Sequence, residues 1–365
     1  MGSIQRIDRP KPWLARYRGP DGRQHSKSFT RKVDAERWLK VSEVETLTGR
    51  WVDPAAGAKP FGPYAEDWLA YKRASVGETT ATNVESLLRA RVLPEFGSKQ
   101  LKQITVAQIR KWMAAMAEEG LSPSTVYSYR RVLSQVLKQA VDDGLLVSNP
   151  ATKAKAPAVR PRRQLFLSAE ELRDLGYECG HYAPMVWFLG WSGLRFGEAT
   201  ALRVGRVDPS RRRVRVEEAA TEVGGRLIFG PPKTHESRTV IVPQFVVDAI
   251  QAFIDDRPAD ALVFTAQRGG PVRLNNFRRR FFSPAAERIG KPGLVPHDLR
   301  DTAASLAISS GASIMAVQRM LGHASAKMTL DVYGSLFEED LEALADRIED
   351  RYGDWWSGSH PGAGI

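Results

Sequence analysis

A single cysteine, Cys179, stands in 365 residues. One thiol closes no disulfide framework and cannot supply a cysteine-based zinc site. Histidine is almost as sparse, with six positions. His235-Glu236 opens like H-E-x-x-H, but Thr239 stands where the second ligand is required. His25, His181 and His360 have no partners at ligand spacing. Long apolar runs are also lacking: even APMVWFLGW falls well short of the roughly 18 residues that a membrane span needs. MGSIQR offers neither a signal-peptide core nor the Ser/Thr that myristoylation requires, so a cytosolic protein is expected. No Walker A loop and no G-x-G-x-x-G strand–helix signature occurs. Acidic residues are the last shortage, 42 against 53 Lys and Arg, which leaves a net charge of +11 and a pI near 9.8. That balance points to a polyanionic partner, most often nucleic acid.

The excess of positive charge is local. Residues 1–50 carry 12 basic and 6 acidic side chains. The stretch 151–165, ATKAKAPAVRPRRQL, carries Lys153, Lys155, Arg160, Arg162 and Arg163 with no acid. Elsewhere the charges cancel, so the basicity is laid down as a footprint.

The pattern predicts a multidomain α+β chain, mainly helical with small β-sheets. Within 1–55, the alternation in WLARYR sets Trp13, Ala15 and Tyr17 on one face and Leu14, Arg16 and Arg18 on the other. GPDG (19–22) is a turn signal, and RQHSKSF would return antiparallel. Thr30 is the expected cap of a helix with Trp38, Val41, Val44 and Leu47 as its apolar stripe, ended by Gly49. DPAAGAKPFGP (53–63) reads as a linker. The region 56–150 reads as helical, with Ser122-Pro123 as its clearest helix start and Gly144 closing that helix. Asn149-Pro150 begins the basic linker 151–165, whose composition predicts an extended tether. A mixed domain follows over 166–350, with Ser168 and Glu170-Glu171 starting a helix, and RRRVRVEE, LIFG and RTVIVP reading as strands. Residues 351–365 form a tail.

Several cations stand in unusual settings within 166–350. GLRFGEA places Arg195 in an apolar neighbourhood three residues before Glu198. GPPKTHESRTVIVP puts Lys233 in a turn between two strands. HDLRDT spaces His297 and Arg300 by three, so on a helix both would face one way. Gly322-His323 and Tyr333 come last. Each has an ordinary explanation: a buried ion pair, a solvated turn, a polar helix face, a core tyrosine. In this order and context, S-G-L-R-x-x-E, P-K-T-x-x-S-R-T-V, H-D-L-R, and L-G-H followed by V-Y, they resemble the tyrosine recombinase (phage integrase) superfamily. The resemblance covers nearly the whole chain, with 1–55 similar to an arm-type DNA-binding domain, 56–150 to a helical core-site-binding domain, and 166–350 to the catalytic domain.

The resemblance implies site-specific DNA cleavage and rejoining through a 3′-phosphotyrosyl intermediate, which integrates, and can excise, a phage or mobile element. Tyr333 would be the nucleophile. Arg195 and Arg300 would clamp the scissile phosphate, since guanidinium is a planar and permanently charged donor. Lys233 would protonate the departing 5′-oxygen. His297 would take or share the tyrosine proton, and His323 would hydrogen-bond the phosphate. No metal, ATP or other cofactor is expected. Arg16, Arg18 and Lys27 would enter a groove of arm DNA, and the five cations of the linker would contact phosphates. Expected partners are double-stranded core and arm sites, three further copies in a homotetramer, a DNA-bending host factor and a directionality factor, in the nucleoid of a bacterial host and without a membrane. Leu341, Leu344 and Ile348 mark a tail helix that packs either on its own domain or on a neighbour. The rival readings are a type IB topoisomerase-like DNA-relaxing enzyme and a non-catalytic DNA-binding regulator derived from a recombinase.

Overall fold

The computed structural model describes residues 2–48, 51–53, 55–158, 164–232, 237–338 and 341–358. The chain forms two compact units, Met1–Pro161 and Arg162–Ile365.

The first unit opens with an antiparallel sheet of β1 (Ser3–Arg6), β2 (Trp13–Arg18) and β3 (Gln24–Phe29) in sequential order. Its register places Ile4, Ala15 and Lys27 side by side, and likewise Ser3, Arg16 and Ser26. Because successive side chains point to opposite faces, the sheet has two distinct surfaces. Helix α1 (Lys32–Leu47) packs on β2 and β3 over the first surface. Buried Ala15 and Ala35 keep the layers close, and Trp38 meets Tyr17 and Phe29 edge-on or tilted. The second surface carries Ser3, Gln5, Leu14, Arg16, Arg18, Gln24, Ser26 and Ser28. Lys27 therefore lies on the helix side and does not join Arg16 and Arg18.

Two details of α1 differ from expectation. Its cap position is Arg31, not Thr30, and Arg31 ties itself to Asp34. The stripe Val41, Val44, Leu47 is exposed, at 48%, 56% and 81%. An α-helix turns about 100° per residue, so three-residue steps lag about 60° each. From Trp38 to Leu47 the row therefore swings from the sheet side to the solvent side. Gly49 lies outside the described residues.

The rest of this unit is helical around its own core, which starts at Phe61. Helix α2 (Phe61–Ser75) begins inside the expected linker, because Phe61 is fully buried. Helices α3 (Glu78–Leu87), α4 (Leu93–Phe96), α5 (Val106–Glu118) and α6 (Pro123–Asp142) follow. Ser122 caps α6 by accepting from the Thr125 N–H at 3.3 Å, and Val126, Leu133, Val136 and Leu137 are buried. Gly144 follows the helix at φ +69°, a conformation that glycine adopts freely.

The basic segment is not extended where it begins. Asn149 caps the short helix α7 (Pro150–Lys153), and Ala151 and Ala154 are completely buried. Arg130 on α6 donates to both their carbonyl oxygens, at 3.0 and 2.9 Å. Small side chains and a satisfied backbone fold this piece back onto α6. Lys153 and Lys155 remain exposed, while Arg160, Arg162 and Arg163 lie outside the described residues.

In the second unit, Ser168 and Glu171 form a reciprocal capping box that starts α8 (Ala169–Glu178). Helix α9 (Ala183–Ser192), apolar on all sides, is buried against α8 and α14 (Asp298–Ser309), as such a helix must be. After α10 (Phe196–Thr200), strands β4 (Val207–Asp208), β5 (Arg213–Val216) and β8 (Arg238–Ile241) make one antiparallel sheet. Strands β6 (Ala219–Val223) and β7 (Arg226–Gly230) form a separate hairpin. Helices α11 (Gln244–Ile250), α12 (Leu274–Phe277) and α13 (Ser283–Arg288) complete the main core. A smaller core joins α14 to α15 (Ile314–Leu321) and α16 (Ala326–Glu338), and α17 (Leu341–Gly358) follows. Among the described residues no helix is long and apolar enough to cross a membrane.

Candidate active site

The second unit brings four of the predicted residues, Arg195, Arg300, His323 and Tyr333, together from α10, the first turn of α14, the end of α15 and α16. Arg195 occupies the cap position of α10, just after α9 ends in a left-handed turn at Gly193 (φ +67°). Its backbone N–H and its Nη1 both donate to Glu198, at 2.9 and 2.8 Å. Glu198 is only 2% exposed and accepts two further bonds, from Arg238 Nη1 at 3.0 Å and Nη2 at 2.6 Å. Burial alone would raise this carboxyl, yet the arginine bonds, Arg238 first, hold it below the usual carboxylate range. The predicted Arg195–Glu198 pair is present, and a second arginine shares it.

Arg300, 4% exposed on α14, donates to Gly193 O and Leu321 O, each at 2.5 Å. These carbonyls end α9 and α15, so one side chain joins both helix termini. Its pKa is pulled down to about 10, by burial first and then by Arg195 and Arg238. It stays charged at neutral pH, in a neighbourhood of three guanidiniums and one carboxylate. Such a site favours an incoming anion.

Helix α15 ends at Gly322 (φ +65°), which turns the chain into His323. The His323 N–H donates to Gln318 O, and its Nδ1 lies 3.0 Å from Thr329 Oγ1 on α16. Burial and then Arg300, Arg195 and Arg238 lower its pKa to about 4, so the imidazole is neutral at pH 7. Arg238, Gly322 and His323 line a cleft of about 610 Å³, together with Ser237, Thr239 and Gln318.

Tyr333 is 2% exposed on α16 and packs against Ala304, Ile308, Val317 and Leu321. Its hydroxyl donates to Asp301 Oδ1 at 2.6 Å. Burial, then this bond, raises its pKa well above the ordinary phenol value. Tyr333 is thus both a core tyrosine and a neighbour of the cation cluster.

His297 and Arg300 do not present one shared face. His297 is exposed at the cap of α14, whereas the first turn of the helix carries Arg300 below the surface. Lys233 lies outside the described residues. Arg238, Asp301 and Thr329 were missed as site residues, although two of them stood inside recognised stretches. Arg238 is the arginine of S-R-T-V, and Asp301 directly follows Arg300 in HDLRDT. Thr329 carried no signal of its own. Among the described residues no cluster of three or more His, Cys, Asp or Glu is arranged to hold a metal ion.

Comparison with known proteins decides what this arrangement belongs to. The model of the phage integrase family matches residues 171–339, which include the whole cation cluster and Tyr333. The model of the phage integrase N-terminal SAM-like domain matches 61–117, and that of the phage integrase N-terminal domain matches 2–48. A putative prophage phiRv2 integrase of Mycobacterium tuberculosis is 31% identical over 347 residues, covering 91% of each chain. The chain belongs to the phage integrase family. An integrase of Mycobacterium phage D29 is 30% identical over 355 residues, covering 93% of this chain and 91% of the relative. The fold also matches a Tn1549 transposon integrase in complex with transposon right end DNA, with a TM-score of 0.66 at 22% identity over 79% of this chain and all of that one. A lambda integrase dimer bound to a core site matches with a TM-score of 0.60 at 16% identity, covering 90% and 93%. This integrase is a site-specific DNA recombinase of the tyrosine type, and its family and relatives do not favour the topoisomerase and regulator readings.

Proposed function

We propose that this integrase cleaves one DNA strand by attack of the Tyr333 hydroxyl on the scissile phosphate. The observation that carries the reading is the convergence of Arg195, Arg300 and His323 beside Tyr333, on elements far apart in sequence. The tyrosine oxygen forms a bond to phosphorus while the bond to the 5′-oxygen breaks, leaving a 3′-phosphotyrosyl link and a 5′-hydroxyl. Arg195 and Arg300 offset the charge on the non-bridging oxygens. In the tautomer in which Thr329 donates to Nδ1, neutral His323 carries its proton on Nε2 and adds one more donor. By resemblance, Lys233 gives the leaving oxygen its proton and His297 shares the proton of the nucleophile. No metal or nucleotide enters these steps, because the side chains supply the charge and the covalent link retains the bond energy.

A three-domain division, with arm-binding at 1–55, core-binding at 56–150 and catalysis at 166–350, completes the reading. Arg16 and Arg18, among Gln and Ser on the open face of the sheet, would read a DNA groove, while Lys27, on the face that α1 covers, would contribute less. Lys153, Lys155, Arg160, Arg162 and Arg163 would contact the backbone between domains. A lambda integrase tetramer bound to a Holliday junction shares the fold, with a TM-score of 0.57. A tetramer, a DNA-bending host factor and a directionality factor are proposed here on the family reading, within the nucleoid of a bacterial cell.

A nicked suicide duplex containing the core site tests the reading on a denaturing gel. The wild-type chain should trap a covalent adduct in EDTA without ATP, and Tyr333→Phe should trap none. An adduct that persists in Tyr333→Phe overturns it.

A further inference from the structure

Arg238 has no part in the chemistry just described, yet it touches both halves of the site. Its side chain is 12% exposed, and its two Nη groups reach both oxygens of Glu198. That same carboxylate receives the guanidinium and the backbone N–H of Arg195. A carboxylate held by one arginine can swing about its own torsions. One gripped by a planar fork on a neighbouring strand cannot, and its other partner inherits the constraint. The orientation of Arg195 is therefore set from β8, through a carboxylate that lies 40 residues from Arg238 in sequence.

The second contact is at Gly322. A Cβ at this position would lie 2.8 Å from Arg238 Cδ and 2.9 Å from its Nε. The stem of Arg238 thus runs directly over the backbone that delivers His323. The glycine of the Gly-His pair meets two demands: a left-handed φ of +65° and room for this side chain. The charge of Arg238 also helps keep His323 neutral.

We propose that Arg238 is a positioning residue of the cleavage centre, which fixes Arg195 through Glu198 and seats His323 by packing on Gly322. The proposal rests on the reading of this cluster as the phosphate-cleaving site. Lysine cannot replace this arginine, because an ammonium has no planar fork to match both carboxylate oxygens.

The experiment uses the full chain and the nicked core duplex, measuring maximal adduct rate at saturating DNA, duplex affinity and thermal melting. Arg238→Lys should slow the maximal rate by about tenfold or more, near the cost of misplacing one charge-stabilising donor. Its affinity and melting should stay close to those of the wild type. Glu198→Gln should show the same pattern. The double variant should be no slower than the worse single variant, because both act through one carboxylate. Gly322→Ala, which presses on Arg238 from the other side, should reproduce the rate loss and serves where Arg238→Lys melts early. An unchanged rate in the folded variants overturns the proposal. So do losses that multiply in the double variant, or a loss seen only in affinity. A wild-type chain that forms no adduct would instead refute the cleavage reading itself.

Discussion

The hydroxyl of Tyr333 donates to Asp301 Oδ1 at 2.6 Å, joining α16 to α14 across 32 positions of sequence. The nucleophile of the proposed reaction is thus held protonated and packed in a small core, by the residue that follows the Arg300 that would activate its target. A bond to a carboxylate is stronger than one to an amide, by about 1 kcal/mol. Asp301→Asn should therefore loosen the resting position, raise Tyr333 labelling by a phenol-directed acetylating reagent, and speed adduct formation by about threefold or more. A rate that instead falls tenfold would show that Asp301 accepts the tyrosine proton during attack.

His323 offers a prediction in pH. Its pKa is lowered to about 4, by burial first and then by three arginines. Folding thus disfavours the proton, and between about pH 4 and 6.5 the unfolded chain binds more of it. Stability should rise with pH across that window and flatten above it, with His323→Gln showing less of the rise. On the proposed reading, bound DNA would place a phosphate anion beside the ring, which favours imidazolium, so core duplex should move the pKa of His323 upward. NMR titration of the ring protons, free and bound, reads both; a downward shift on binding would remove His323 from the phosphate site.

What the sequence disclosed and withheld follows a physical line. Ser122, Ser168 and the strand alternation of WLARYR are local signals, and each element appeared where its pattern placed it. Arg195, Arg300 and Tyr333 were legible because their order and contexts resemble a family, not because their spacing determines a geometry. Arg238 and Asp301 escaped because their roles come from partners 40 and 32 residues away, a distance no local period encodes. The stripe of α1 misled because three-residue steps pass for helical periodicity over two steps and drift off the face over three. The start of the basic tether misled through composition. Alanines that looked like filler are buried, and Arg130 satisfies their carbonyls.

The two surfaces of the N-terminal sheet make a different claim testable. Arg16 and Arg18 stand on the face away from α1, and Lys27 stands on the other. If the open face lies on DNA, each arginine neutralises a phosphate or reads a base edge. Arg16→Ala and Arg18→Ala should weaken duplex binding, and each lost phosphate contact should reduce the salt slope by about 0.9. Lys27→Ala should change the slope less. Equal effects of all three would mean that the sheet does not bind by one face.

The last described helix carries Leu344, Ile348 and Tyr352 on one stripe, 46%, 51% and 56% exposed. Four-residue spacing keeps such a row aligned, and a stripe of this kind left open by its own chain suits burial on a neighbouring copy. If the proposed tetramer buries this stripe, charges placed on it should act on assembly and not on cleavage. Leu344→Asp with Ile348→Asp should leave adduct formation on a single half-site within about twofold of wild type, as expected of surface changes distant from the site. The pair should abolish assembly of two full sites into a four-copy complex, read by native gel or light scattering on DNA. Intact assembly in this variant would place the stripe outside the protein–protein contact, and half-site cleavage lost along with assembly would place it within the active site's own support.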